Sequence, residues 1–120
     1  GSFDLFLLEI DPNGNEIWSQ TYGDVGFDYG SSLDIDPDGD IYIAGTTNVD
    51  SVTFETDIVV LKVDLSGNEI WSVTLGGMAS DYGNFVRCTP DGGCALIGNS
   101  KSFGNGRDDI FFVKLTSNGI

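Results

Sequence analysis

Two stretches of this chain are near-copies of each other. Asp4–Tyr29 reads DLFLLEIDPNGNEIWSQTYGDVGFDY, and Asp57–Tyr82 reads DIVVLKVDLSGNEIWSVTLGGMASDY. A third copy starts at Asp109 as DIFFVKLTSNG. The starts at Asp4, Asp57 and Asp109 set a unit of about 52–53 residues, a period at which units stack into propellers, solenoids or arrays. One such unit cannot bury both of its faces and needs stacked neighbours. The 120 residues hold roughly two and a third units, fewer than the about three that stacking usually requires. The chain is therefore expected to be a piece of something larger, or to build the larger thing from copies of itself.

Inside the unit, short apolar runs alternate with clusters of Gly, Asn, Asp and Ser, which predicts many strands joined by tight turns and no helix. Leu5–Ile10, Ile58–Val63 and Ile110–Leu115 share one pattern: four apolar residues, one charge, one apolar residue. Such runs suit strands buried on both faces. Each leads through a turn, such as Asp11-Pro12-Asn13-Gly14 or Asp64-Leu65-Ser66-Gly67, into an alternating strand at Asn15–Tyr22 or Asn68–Leu75. Alternation puts Trp71, Val73 and Leu75 on one face, and Trp18 and Tyr22 likewise. Gly-rich loops at 23–27 and 76–80 then reach Asp28-Tyr29-Gly30 and Asp81-Tyr82-Gly83. Next come strands carrying Leu33 and Ile35, or Val86 and Cys88. They turn at Asp36-Pro37-Asp38-Gly39 and Thr89-Pro90-Asp91-Gly92, where Pro presets the first turn position and Gly accepts φ > 0 at the last. This is the chemistry of a three-residue hairpin with a glycine bulge. The return strands are Asp40–Thr46 and Gly93–Asn99, and less similar links at 47–56 and 100–108 close the units.

Nineteen acidic residues against five basic ones give a net charge of −14, with no histidine. Nucleic acid is therefore not an expected partner, because phosphate backbones would be repelled. No apolar run approaches the roughly 20 residues of a membrane span, and no secretory leader is read at the start.

Several residues are candidates for chemistry. Asp36, Asp38 and Asp40 alternate across a turn in the manner of a calcium loop, but an EF-hand needs Gly and an acid where Ile41 and Thr47 stand. A calcium site outside that pattern stays open beside a plain hairpin turn. Cys88 and Cys94 take the places of Ile35 and Ile41 in the first copy and fall opposite each other across the predicted hairpin. A disulfide and a pair of buried thiols are both open; zinc would need ligands that the chain lacks, with two cysteines and no histidine. Trp18 and Trp71, at equivalent places, are expected to pack between units, as are Tyr29 and Tyr82. Arg87, standing where Asp34 does in the first copy, is either channel-facing or solvated. With no histidine and neither a nucleophile-elbow nor a phosphate-loop pattern, no catalytic residues are expected, and no cofactor beyond the calcium candidate.

The sequence W-S-x-T-x-G-G, then D-Y-G, P-D-G-G and D-I-F-F-V-K, resembles the SBBP-type β-propeller repeat of bacterial and archaeal secreted and surface proteins. The resemblance covers essentially the whole chain and implies an all-β fold of four-stranded antiparallel blades around an axis. On that pattern Tyr29–Asp36 and Tyr82–Thr89 are innermost strands, Ile41–Thr46 and Cys94–Asn99 second strands, the apolar runs third strands, and Asn15–Tyr22 and Asn68–Leu75 outer strands. The chain becomes an incomplete propeller: a half blade over 3–22, a complete blade over 29–75 and an incomplete blade over 82–116. The resemblance further implies an extracellular or cell-surface location and a non-enzymatic role as scaffold or interaction module. Its partners would be neighbouring blades or other copies, joined head to tail in a ring or filament, or a protein or glycan ligand. Two alternatives stand beside this one: an oligomeric carbohydrate-binding propeller, and a fragment of a larger propeller enzyme.

Overall fold

Five turns of one design punctuate the chain, and the strands follow from them. A computed structural model describes residues 3–23, 26–48 and 52–120; Asp24 and Val25 of the first Gly-rich loop and residues 49–51 of the first link lie outside it. In each turn a glycine N–H donates back to the carbonyl of the first turn residue, as Gly14 does to Asp11, Gly67 to Asp64 and Gly92 to Thr89. These glycines hold φ between 78° and 93°, a region that costs other residues dearly. Where the first residue is Asp, its carboxylate also accepts main-chain N–H bonds two and four residues on, at Asp11, Asp36 and Asp64. That local bonding is why Asp opens these turns.

The strands run in chain order as β1 (Leu5–Ile10), β2 (Glu16–Tyr22), β3 (Asp28–Ile35), β4 (Ile41–Asn48), β5 (Thr56–Val63), β6 (Glu69–Leu75), β7 (Asp81–Cys88), β8 (Cys94–Ser100) and β9 (Asp109–Leu115). They form three antiparallel sheets, β1-β2, β3-β4-β5-β6 and β7-β8-β9. The described residues contain no helix. This is an all-β chain of one four-stranded blade between two incomplete ones.

The middle sheet is covered on both faces. One face places Tyr42, Ala44, Ile58 and Val60 against Val86, Cys94, Leu96 and Leu115 of the third sheet. The other places Ile43, Leu61 and Val63 against Leu5 and Leu7 of the first. The apolar runs therefore differ in burial despite their shared pattern. β5 is buried on both faces, as expected of such a run, whereas β1 exposes Phe6, Leu8 and Ile10, and β9 exposes Ile110 and Phe112. Local sequence is alike in all three; what differs is whether a sheet stands on each side.

Candidate functional site

The sheets meet at joints, and side chains reach across them at three levels. At the rim, Trp18 Nε1 donates to the Leu65 carbonyl (3.1 Å) and the Tyr22 hydroxyl to the Gly67 carbonyl (2.6 Å). One unit later Trp71 Nε1 donates to the Ser117 carbonyl (2.9 Å). The indoles lie on the turn glycines: a Cβ at Gly67 would stand 2.7 Å from Trp18, and one at Gly119 3.0 Å from Trp71. At mid-height Tyr42 is fully buried, meets Trp71 edge-on at 5.9 Å and donates its hydroxyl to the Gly92 carbonyl (2.6 Å). Tyr29 and Tyr82 are not buried in this way, though the Tyr29 ring stacks on Phe3 of the first unit at 6.1 Å. Both are exposed, because the period of two gives the inward face to Asp28 and Asp81 beside them.

At the inner end β3 and β7 meet. The Cys88 N–H donates to the Asp34 carboxylate (2.8 Å), and the Val86 N–H reaches Ser32 Oγ (3.4 Å). The bond from Cys88 is the main reason the Asp34 carboxyl is held below its usual range; nearby Arg87 adds to this. Arg87 stays largely exposed, 3.7 Å from Asp34 and over the Phe85 ring. Gly83 donates to Thr46 Oγ1 across the same joint. β4 and β8 carry Gly45 and Gly98 here because a Cβ would run into the Tyr29 and Tyr82 carbonyls of their own sheets.

The candidate calcium residues have another cation beside them. Lys62 Nζ lies 3.0 Å from Asp40 and 3.9 Å from Asp36, over the face of Tyr42 at 5.0 Å. Burial pulls the Lys62 ammonium down, but Tyr42 and Asp40 outweigh it and raise its pKa. In the third sheet Lys114 pairs with Asp91 at 2.8 Å. Among the described residues no three Asp, Glu, Cys or His side chains converge as a metal would need. Cys88 and Cys94 are register partners, both reduced in this structure, and both set in or against the core between the second and third sheets.

One residue of consequence was not singled out in the sequence. Asp81 is fully buried and accepts from the Ser100 and Ser102 hydroxyls and from the N–H groups of Gly77, Lys101 and Ser102. Burial pushes its pKa up, yet these bonds outweigh it and hold the carboxyl below its ordinary value of 3.8. The signal was the acid shared by Asp28-Tyr29-Gly30 and Asp81-Tyr82-Gly83; for Asp81, the partners Ser100, Lys101 and Ser102 lie in the divergent link.

Residues 17–51, from the rim strand of the first sheet through the inner hairpin of the second, match the family model described as the SBBP beta-propeller repeat. This chain carries an SBBP-type β-propeller repeat. The SBBP match spans one rim indole, Trp18, and one inner hairpin, two of the places where a blade meets its neighbour. Over 115 residues the chain is also 29% identical to a protein named regulatory protein FlaEY in Caulobacter vibrioides. That alignment takes in 85% of this chain and 12% of the relative, so the chain spans a small part of the relative's length.

Proposed function

We propose that this chain is a non-enzymatic scaffold, extracellular or on the cell surface, whose blades stack on further blades, and that a second copy can supply them head to tail. The observation that carries this is the complementarity of its two outer faces. Ile110 and Phe112 are 80% and 67% exposed, whereas the equivalent Ile58 and Val60 are covered by the third sheet. At the other end, the exposed Phe6, Leu8 and Ile10 occupy the places of Phe111, Val113 and Leu115, which seat against the middle sheet. The two ends thus present the two halves of a joint already formed inside the molecule. A heterologous contact of this kind gives a ring if its rotation closes and a filament if it does not.

Light scattering after gel filtration, across concentration, tests this. A fixed multiple of 12.8 kDa marks a ring, and a broad concentration-dependent series marks a filament. A monomer at every concentration overturns self-assembly. Association is expected to tighten as salt rises, because screening relieves repulsion between chains of charge −14. Phe112→Asp is expected to return the protein to monomers with little effect on its thermal midpoint, since the ring is largely solvated in the single chain.

A further inference from the structure

We propose that Cys88 and Cys94 form a cross-strand disulfide within the third sheet, made while the inner hairpin is still open and enclosed once the sheets close. This inference is independent of how the chains stack.

Thr89 N–H donates to the Gly93 carbonyl, and Gly92 N–H to the Thr89 carbonyl, at the hairpin end. The hydrogen-bonded site is therefore Thr89 with Gly93, and the next pair inward is Cys88 with Cys94. The Cys88 N–H points away from β8 and donates to Asp34 on β3. Cys88 and Cys94 thus occupy a non-hydrogen-bonded pair, the type with the shorter Cα separation of about 4.5 Å. That separation falls within the about 4.4–6.8 Å that a disulfide spans. Register partners share a face, and this face is the core: Cys94 is fully buried and Cys88 packs against the same cluster. The first copy holds Ile35 opposite Ile41 at these places, so both members of the pair differ together. The chain has two cysteines, which leaves one intramolecular pairing.

The order of events follows from burial. In the closed molecule burial pushes Cys88 up to about 12, with Asp34 adding to it, and Cys94 up to about 11. Thiolate, the attacking species, is then scarce. In the open hairpin one cysteine thiolate attacks a low-molecular-weight disulfide oxidant, and one thiolate of the oxidant leaves. The second cysteine thiolate attacks the mixed disulfide, the protein S–S bond forms and the other thiolate leaves. Two protein thiols are oxidised and one oxidant disulfide is reduced to two thiols, whose leaving thiolates take up the two protons that the cysteines gave up.

The test is to refold the reduced, denatured chain with oxidised glutathione and to measure its intact mass after alkylation in denaturant. The expected product is a monomer lighter by two hydrogens that takes up no alkyl group. Its Tm is expected to fall by about 5–10 °C on reduction. The Cys88→Ile/Cys94→Ile variant, which restores the pair of the first copy, is expected to show no effect of reductant. Peptide mapping of the unaltered chain does not depend on that variant folding. Two alkyl groups on the refolded chain, or a link between chains, overturns the proposal. Equal oxidation rates for the folded reduced chain and the denatured chain overturn the stated order.

Discussion

Asp81→Ala is expected to destabilise the chain by about 3–5 kcal/mol, because it strips several buried donors of their acceptor at once. Both the Ser100 and Ser102 hydroxyls and the Gly77 amide converge on this carboxylate. Against a typical total stability of about 5–15 kcal/mol, the loss is large. Urea unfolding followed by tryptophan fluorescence checks it. Asp81→Asn keeps one acceptor oxygen and should lose less. The same residue shapes the acid limb. Its folded pKa lies below its ordinary value of 3.8. Its contribution is therefore complete above about pH 4–5 and is lost as pH falls through the lower folded value. Asp57 works the other way: burial first, then the Asp81 charge, raise its pKa, so its cost is relieved on acidification. Asp81→Asn should flatten the loss below pH 4. An unchanged acid limb would show that other carboxylates govern it.

Trp71→Ala is expected to cost about 3 kcal/mol, toward the lower end of large-to-small aromatic truncations because the indole is only half-buried. Three contacts go together: the Nε1 bond to the Ser117 carbonyl, the bed on Gly119 and the edge-on contact with Tyr42. Trp71→Phe should recover part of the loss, since it restores the ring but not the donor. Hydrogen exchange gives a sharper check. Protection should fall in the turn at 116–119 as well as in β6, because the two lie on opposite sides of one joint. A loss confined to β6 would mean that the indole stabilises its own sheet alone.

The repeat, the turns and the all-β blade were legible because they rest on local chemistry. A glycine at positive φ, an aspartate bonding its own turn and a period of two are written within a few residues of each other. What escaped depends on distant partners. Tyr29 and Tyr82 look like core residues by type, yet the neighbouring acid takes the inward face. Asp28 and Asp81 look like ordinary surface acids until the link at 100–102 folds over Asp81. The apolar runs of β1, β5 and β9 are alike in pattern but bury different amounts, because burial of a sheet face depends on what stands beside it. Lys62 read as one charge near the end of an apolar run; the structure pairs it with Asp40 over Tyr42.

The rim indoles have one more consequence. Their acceptors are main-chain carbonyls, Leu65 in one joint and Ser117 in the next, and Gly67 and Gly119 lie beneath them. A leucine and a serine serve the same purpose because neither side chain takes part. Such a rim contact makes almost no demand on the identity of the following blade beyond its turn. Units can therefore drift apart in sequence, or be exchanged for one another, while the fit between neighbours survives. Diversity between repeats is then cheap to accumulate, and selection is left free to act on the surfaces that face outward.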